Sequence, residues 1–403
     1  MEIVRSKLGD IWTAIRAAVR KKPWAIVLVS LMLVLILWEA PIVKKTNRTE
    51  LSGTWITHLG TALMYYSTRL DETIAELAQQ GMTTIYPAVW NHGHSLFSSQ
   101  VIRKAGGSAR NPWVNLPIPF SDPLSGLVRQ TRRQQLRLIP WFEYGLMIPT
   151  DSDIIKRHPD WLTQRQDGSL SDSQNAQPSN SINPLTALRQ AILGKEQGWL
   201  NPFHAEVQQF LVDLIVEVVT RYPVDGIQLD DHFGLPIDYG YDPYTVALYQ
   251  SEHQGDRPGD ASDPEWMEWR AKKLTEWMTR IRKAVKAARP NAIVSLSPNS
   301  ADYAYRTSLQ DWSKWVNLNL LDEVVVQLYR PTLTSLQTEL DNPSLKAVSQ
   351  KVSLGIGLYT GPFNKAKSAA LIKREVEAVR SSGYAGTSFF CWETTFWIFR
   401  GKK

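Results

Sequence analysis

A chain of 403 residues, 43% hydrophobic and 21% charged, has room for one eight-stranded α/β barrel of about 250 residues with long loops, and its composition excludes both a disordered chain and a polytopic membrane protein. The net charge of +6 gathers at the amino terminus, where Arg5, Lys7, Arg16, Arg20, Lys21 and Lys22 are set against only Glu2 and Asp10; the remainder, about +2, lacks the clustered basic face of a nucleic-acid binder. The single cysteine, Cys391, excludes internal disulfides and cysteine-rich metal centres and reads as a core thiol.

In chain order, residues 1–23 form a basic cytoplasmic segment. Its Leu8, Ile11, Trp12, Ile15 and Val19 recur at helical spacing, suited either to an anionic inner leaflet or to extending the next helix. Residues 24–38 carry no charge, and through Val43 the run approaches the ~20 residues of a spanning helix. It ends in LWEAPIVKK without an A-x-A-like cleavage site, so 24–43 reads as a transmembrane signal anchor rather than a cleaved signal peptide. Basic residues ahead of the span hold that end in the cytoplasm. Residues 44–50 are then a linker, and 51–403 lie in the periplasm or outside the cell.

Short β-branched or aromatic runs then alternate with amphipathic stretches. Strands are expected at 53–57, 83–89, 136–142, 224–230, 292–297, 323–329, 351–358 and 386–392, with the clearest helices at 206–221 and 265–289. Gly81, Pro223, Pro290 and Gly383 punctuate them. A doubly wound sheet announces itself by a glycine-rich phosphate loop after its first strand, and GTWITHLGTALMYY has none. The expected fold is therefore α/β, a (β/α)8 barrel preceded by one transmembrane helix. Two polar insertions, 163–200 and 232–264, follow the carboxyl ends of strands three and four. That is the face on which barrels build active sites, and the insertions are read as walls of a substrate groove.

Carboxylates at strand ends are the candidates for glycosidic chemistry, which needs an acid for the leaving oxygen and a carboxylate as nucleophile or base. They are Glu143 in WFEYG, Asp230 and Asp231 in VDGIQLDDHFG, and Glu393 in FFCWETT. Side chains alternate along a strand, so Asp230 takes the interior and Asp231 joins it only if the chain turns between them. Asp225, at the opposite end of strand four, reads as a structural turn residue. Substrate contacts are assigned to Trp90, Asn91, His94, Trp141, Tyr144, His232, Asn299, Gln327, Tyr329, Arg330 and Trp392. Gln327 and Tyr329 share a face and would bind sugar hydroxyls or orient a carboxylate. The 16 tryptophans suit either sugar stacking or core packing. His92 and His94 invite a zinc reading, but HExxH is absent, and no metal or cofactor is expected. Without G-x-S-x-G, serine hydrolase chemistry is disfavoured.

The ordered stretches ELSGTWIT, TTIYPAVWNHGHSLFSSQV, WFEYG with RHPDWL, WLNPFHAEVQQFLVDLIVEVVTRYPVDGIQLDDHFGLP and LQDWSKWVNLNLLDEVVVQLYRP resemble the glycosyl hydrolase-like 10 family of bacterial envelope barrels. The resemblance covers most of the chain after Leu51. It implies a glycosidase of peptidoglycan glycan strands, especially strands stripped of peptide. Strand four also looks like the DGxDxDxE signature of chitinase-type barrels, with Asp230 in register with its last Asp. His232 then stands where the acid Glu belongs, so Asp231, Glu143 or Glu393 must supply the acid. Family members often carry Asn at the place of Glu143. Two readings follow: a membrane-anchored hydrolase of O-glycosyl bonds in an envelope polysaccharide, or a silent glycan-binding or scaffold barrel.

Overall fold

The computed structural model describes residues 39–43, 50–66, 69–108, 122–171, 196–256, 258–361 and 366–394. The chain divides into two units, 1–43 and 44–403. The basic segment, most of the expected anchor and most of the linker lie outside the described residues. Among the described residues, no helix is long and apolar enough to cross a membrane.

In the second unit, all eight expected strands form. They are β1 (Leu51–Ile56), β2 (Thr84–Asn91), β3 in two pieces (Arg137–Leu138 and Trp141–Phe142), β4 (Gly226–Asp230), β5 (Ile293–Ser297), β6 (Glu323–Gln327), β7 (Ser353–Tyr359) and β8 (Gly386–Phe390). Each runs parallel to its neighbours, and β1 pairs with both β2 and β8, which closes the barrel. Pro140 splits β3 because it has no N–H to give to the ladder.

The helices between strands form because their apolar residues repeat at 3.6-residue spacing. Ala205–Arg221 buries Val207, Phe210, Leu211, Leu214, Ile215 and Val218. Pro264–Ala288 begins at Asp263, whose side chain accepts from the Trp266 N–H, with Pro264 in the first turn where its missing donor is harmless. One large core fills the space between strands and helices. A smaller one fills the barrel itself, with Leu51, Trp55, Tyr86, Ala88, Ile139, Trp141 and Val325. Each large apolar side chain so buried contributes about 1.5–3 kcal/mol. Trp55, Trp90, Trp266, Trp277, Trp312 and Trp315 are fully buried, so packing rather than sugar stacking accounts for them.

The insertions are tied together at one end of the barrel. Arg165 bridges to Tyr239 in an antiparallel pair, and buried Asp242 accepts from Thr163 Oγ1 (2.8 Å) and Asn201 Nδ2 (2.9 Å). Arg270, fully buried, donates to the carbonyls of Ile237, Tyr239 and Ala261 at 2.6, 2.6 and 2.9 Å. Three acceptors satisfy a guanidinium that would otherwise be costly to desolvate, and they pin the loop after β4. An antiparallel pair of short strands, Met147–Pro149 with Gln197–Trp199, completes this wall; residues 172–195 of the first insertion lie outside the described residues.

Candidate active site

β4 points Gln228 and Asp230 into the barrel, and the chain turns at Asp231, so both acids reach the carboxyl mouth. Asp230 is 1% exposed. Its Oδ2 accepts the Tyr144 N–H at 2.8 Å and its Oδ1 the His232 N–H at 3.0 Å. Asp231, with a quarter of its side chain exposed, accepts from Asn299 Nδ2 (3.0 Å) and Gln327 Nε2 (3.2 Å). His232 Nδ1 lies 3.3 Å from Asp230 Oδ2 and 3.3 Å from Asp231 Oδ1.

This triangle sorts the protons. Burial pushes Asp230 above the usual carboxylate range, with the His232 charge opposing it. For Asp231, burial acts in the same direction, but His232 and the Gln327 amide overcome it and hold the acid below its ordinary value. Burial alone would strip His232 of its proton; the charges of Asp231 and Asp230 reverse this and keep it well above an ordinary imidazole.

Glu143, at the end of β3, is 5% exposed and accepts from Asn91 Nδ2 at 2.6 Å. Burial pushes its carboxyl up to about 8 despite that hydrogen bond, and the charges of Asp230 and Glu393 add to the rise. Two residues here hold left-handed backbone, His92 (φ 46°) and Tyr144 (φ 58°), and their rings lie 4.2 Å apart. Such conformations cost non-glycine residues on the order of 1–3 kcal/mol and persist where surrounding contacts over-determine them. At Tyr144, the conformation accompanies the N–H bond to Asp230.

Across the mouth, Glu393 Oε1 accepts from the Thr57 N–H (3.1 Å) and from the Thr57 hydroxyl. Its Oε2 is buried with no partner among the described residues. Gly60 packs against this carboxylate so closely that any Cβ would collide with it. The floor is Trp141, 5% exposed, in edge contact with Trp55 and Phe390, its Nε1 without a hydrogen-bond partner among the described residues. Tyr329 packs on Tyr359 and Phe390, and Trp199 from the first insertion stacks on His232 with centroids 5.9 Å apart.

The model of the glycosyl hydrolase-like 10 family matches residues 50–377. The chain belongs to this family. It is 22% identical over 291 residues to glycosyl hydrolase DigH of Escherichia coli K12, covering 64% of this chain and 57% of that protein. With glycosyl hydrolase YngK of Bacillus subtilis it shares 23% identity over 254 residues, 55% of this chain and 42% of that one. The chain thus spans about half the length of these relatives. Among solved structures, the glycoside hydrolase domain of PgaB (BpsB) from Bordetella bronchiseptica superposes with a TM-score of 0.59 at 12% identity, over 87% of this chain and 96% of that one. An alpha-L-fucosidase from Paenibacillus thiaminolyticus gives 0.54 at 14%, over 82% and 45%. These two likenesses concern the fold.

Within this family member, the mouth gathers Glu143, Asp230, Asp231, Glu393, Asn91, Trp141, Tyr144, His232, Asn299, Gln327 and Tyr329. His94, half-buried, carries a buried Nδ1 with no described partner, and burial lowers its pKa. Three expected contacts fall elsewhere. Trp90 is fully buried against Phe210, its indole donating to Gly145 O; a register shift after Ala88 turns it to the helical layer. Arg330 lies beyond the inward pair Gln327 and Tyr329 and is paired with Glu339 at 2.7 Å. Trp392, 3% exposed, belongs to the core between strands and helices and offers no face to a sugar.

Asp230, Asp231 and His232 each bring one ligand atom within 4.8 Å of the others. Their oxygens also accept hydrogen bonds from Tyr144, His232, Asn299 and Gln327. His92 and His94 form no such set among the described residues. His58 is buried beside both histidines, and burial first, then their charges, drive its pKa down to about 3. Thr57 and Gln310, which donates to Asp230 O at 2.9 Å, escaped the sequence reading. For Thr57, the signal was its place at the carboxyl end of β1.

Proposed function

We propose that this protein is a glycoside hydrolase of a cell-envelope polysaccharide, with peptidoglycan glycan strands as its substrate. What carries the reading is a pair of carboxyl groups driven apart in one mouth: Glu143 pushed up to about 8, Asp231 held below its usual range. Acid and base roles are set in this way when one fold must run both at neutral pH. Glu143 is protonated at neutral pH and donates to the leaving glycosidic oxygen. Asp231, ionised and partly open to solvent, faces the positive charge that develops at the anomeric carbon. Asp230, its oxygens taken by two backbone N–H groups, positions Tyr144 and His232 rather than touching substrate. Trp141, nearly buried, closes the bottom of the mouth beneath these acids.

The names of the curated relatives and the fold shared with a glycoside hydrolase domain support a carbohydrate substrate. Peptidoglycan and the envelope rest on the family resemblance and on residues 24–43, read as an anchor that leaves the barrel outside the cytoplasm. His232 at the chitinase-type acid position favours a second reading, a glycan-binding scaffold without turnover.

The test is incubation of the full-length protein, purified in detergent, with denuded glycan strands. New reducing ends are expected from wild type and are lost in Glu143→Gln and Asp231→Asn. Binding without release, from these strands and from chitin-type chains alike, selects the scaffold. A reporter fused after Lys403 that is active only in the cytoplasm overturns the orientation.

A further inference from the structure

We infer that the flank of the barrel between the helices following β5 and β6 holds a second carbohydrate subsite, where Tyr303 stacks on a sugar ring of the polymer whose scissile bond lies in the mouth. This rests on the glycosidase reading. A cavity of about 440 Å³ opens there, within the roughly 300–1,000 Å³ of small-molecule sites. Trp312 and Leu328 contribute its apolar lining, and Asp302, Arg306 and Asn342 bring polar groups. Tyr303, also in the lining, is 55% exposed, an apolar face left in water beside polar side chains. Asp302 and Arg306 pair with each other, and Glu339, also in the lining, pairs with Arg330, so the cavity presents matched charges and planar hydrogen-bonding groups around an aromatic. That combination fits a neutral, hydroxyl-rich ring: its axial C–H face meets the phenol while its hydroxyls bridge carboxylate, guanidinium and amide.

The cavity is built onto the catalytic mouth. Ser300 and Ala301, in its lining, follow directly on Asn299, which donates to Asp231. Trp312 Nε1 donates to Asn299 O at 3.0 Å, and Leu328 follows Gln327, the other amide on Asp231. The two residues that fix Asp231 are thus chain neighbours of the cavity lining, and the polymer path inferred here runs from mouth to cavity across Asn299.

The experiment measures binding and cleavage of denuded glycan strands, graded from disaccharide to long chains, by the full-length protein and by Tyr303→Ala, Tyr303→Phe and Ser344→Trp, the last filling the cavity. For long strands, Tyr303→Ala and Ser344→Trp are expected to weaken binding and raise KM about five- to tenfold, the loss of one stacked ring. The loss shrinks with chain length, and Tyr303→Phe keeps the wild-type affinity. Equal affinities across all lengths in every variant, while wild type still cleaves strands, overturn the subsite and leave the glycosidase intact. If wild type neither binds nor cleaves any strand, both fall. Thermal melting checks each variant's fold, and the Phe variant separates a lost ring from a damaged helix.

Discussion

The two ends of the barrel bury acid in opposite ways. At the amino end, Glu323 is 3% exposed and fully matched: Oε1 accepts from Tyr86 OH (2.9 Å) and Ser295 Oγ (3.0 Å), and Oε2 pairs with Arg137 (2.9 Å). The network runs on through Gln228 to the Trp55 indole at 2.6 Å. At the carboxyl end, Glu143, Asp230, Asp231 and Glu393 converge, and His232 is their only ion-pair partner among the described residues. One Glu393 oxygen accepts no hydrogen bond from the described residues, and Glu143 holds its proton near neutrality. The amino-end acid is saturated with donors, whereas Glu143 and Glu393 at the carboxyl end are left with few, the pattern the proposed chemistry calls for.

The sharpest way to break this contrast is to neutralise one acid at each end. Glu143→Gln is expected to cut kcat on glycan strands by roughly 10²–10⁴, the usual worth of a positioned general acid, while leaving the urea unfolding midpoint equal or higher. A midpoint that falls while kcat survives would make Glu143 structural. Glu323→Ala should do the reverse. It strands the Arg137 guanidinium and the Tyr86 and Ser295 hydroxyls, at about 3 kcal/mol of unfolding free energy, with kcat of the folded fraction unchanged.

The strand frame and the two insertions were the more legible parts of the sequence, whereas the Glu323 network at the amino end was not read from it. Short β-branched or apolar runs between helical stretches, such as the VVV of EVVVQ, fixed all eight strands to within a few residues. The convergence of acids at strand ends was legible for the same reason, since alternation and the carboxyl-end rule give position without coordinates. Side-chain direction beyond the last regular residue was not. The register shift at Ala88 redirected Trp90, the left-handed Tyr144 brought its N–H to Asp230, and the turn at Asp231 let both acids enter. Each depends on partners distant in sequence, and so does Thr57, which meets Glu393 only because β8 closes on β1.

The mouth should also betray itself in pH dependence. A carboxyl raised from an ordinary 4.5 to about 8 in the folded state makes that state bind a proton the unfolded chain has released. Stability therefore falls as pH rises between those values, by up to about 1.4 kcal/mol per unit, and levels off above. Urea titrations at pH 5, 6.5 and 8 should show this decline in wild type and lose it in Glu143→Gln. The same proton sets an alkaline limb of kcat near pH 8. A flat stability profile in wild type would remove Glu143 as the acid.

The smallest effect expected is at His232, where the comparison is most exposed to failure. His232→Gln keeps a donor near Asp230 and Asp231 but removes the positive charge between them. Without it, burial acts unopposed by a cation, and Asp231 should rise toward the usual carboxylate range. The acidic limb of the pH–rate profile then moves up by about one unit, with only a several-fold loss of kcat at the optimum, because Gln327 and Asn299 still hold Asp231 in place. An unmoved acidic limb would mean that the limb belongs to another group. Asp231 would then lose its role as the ionised partner, and the mouth would resemble the amino end, a set of acids held for shape.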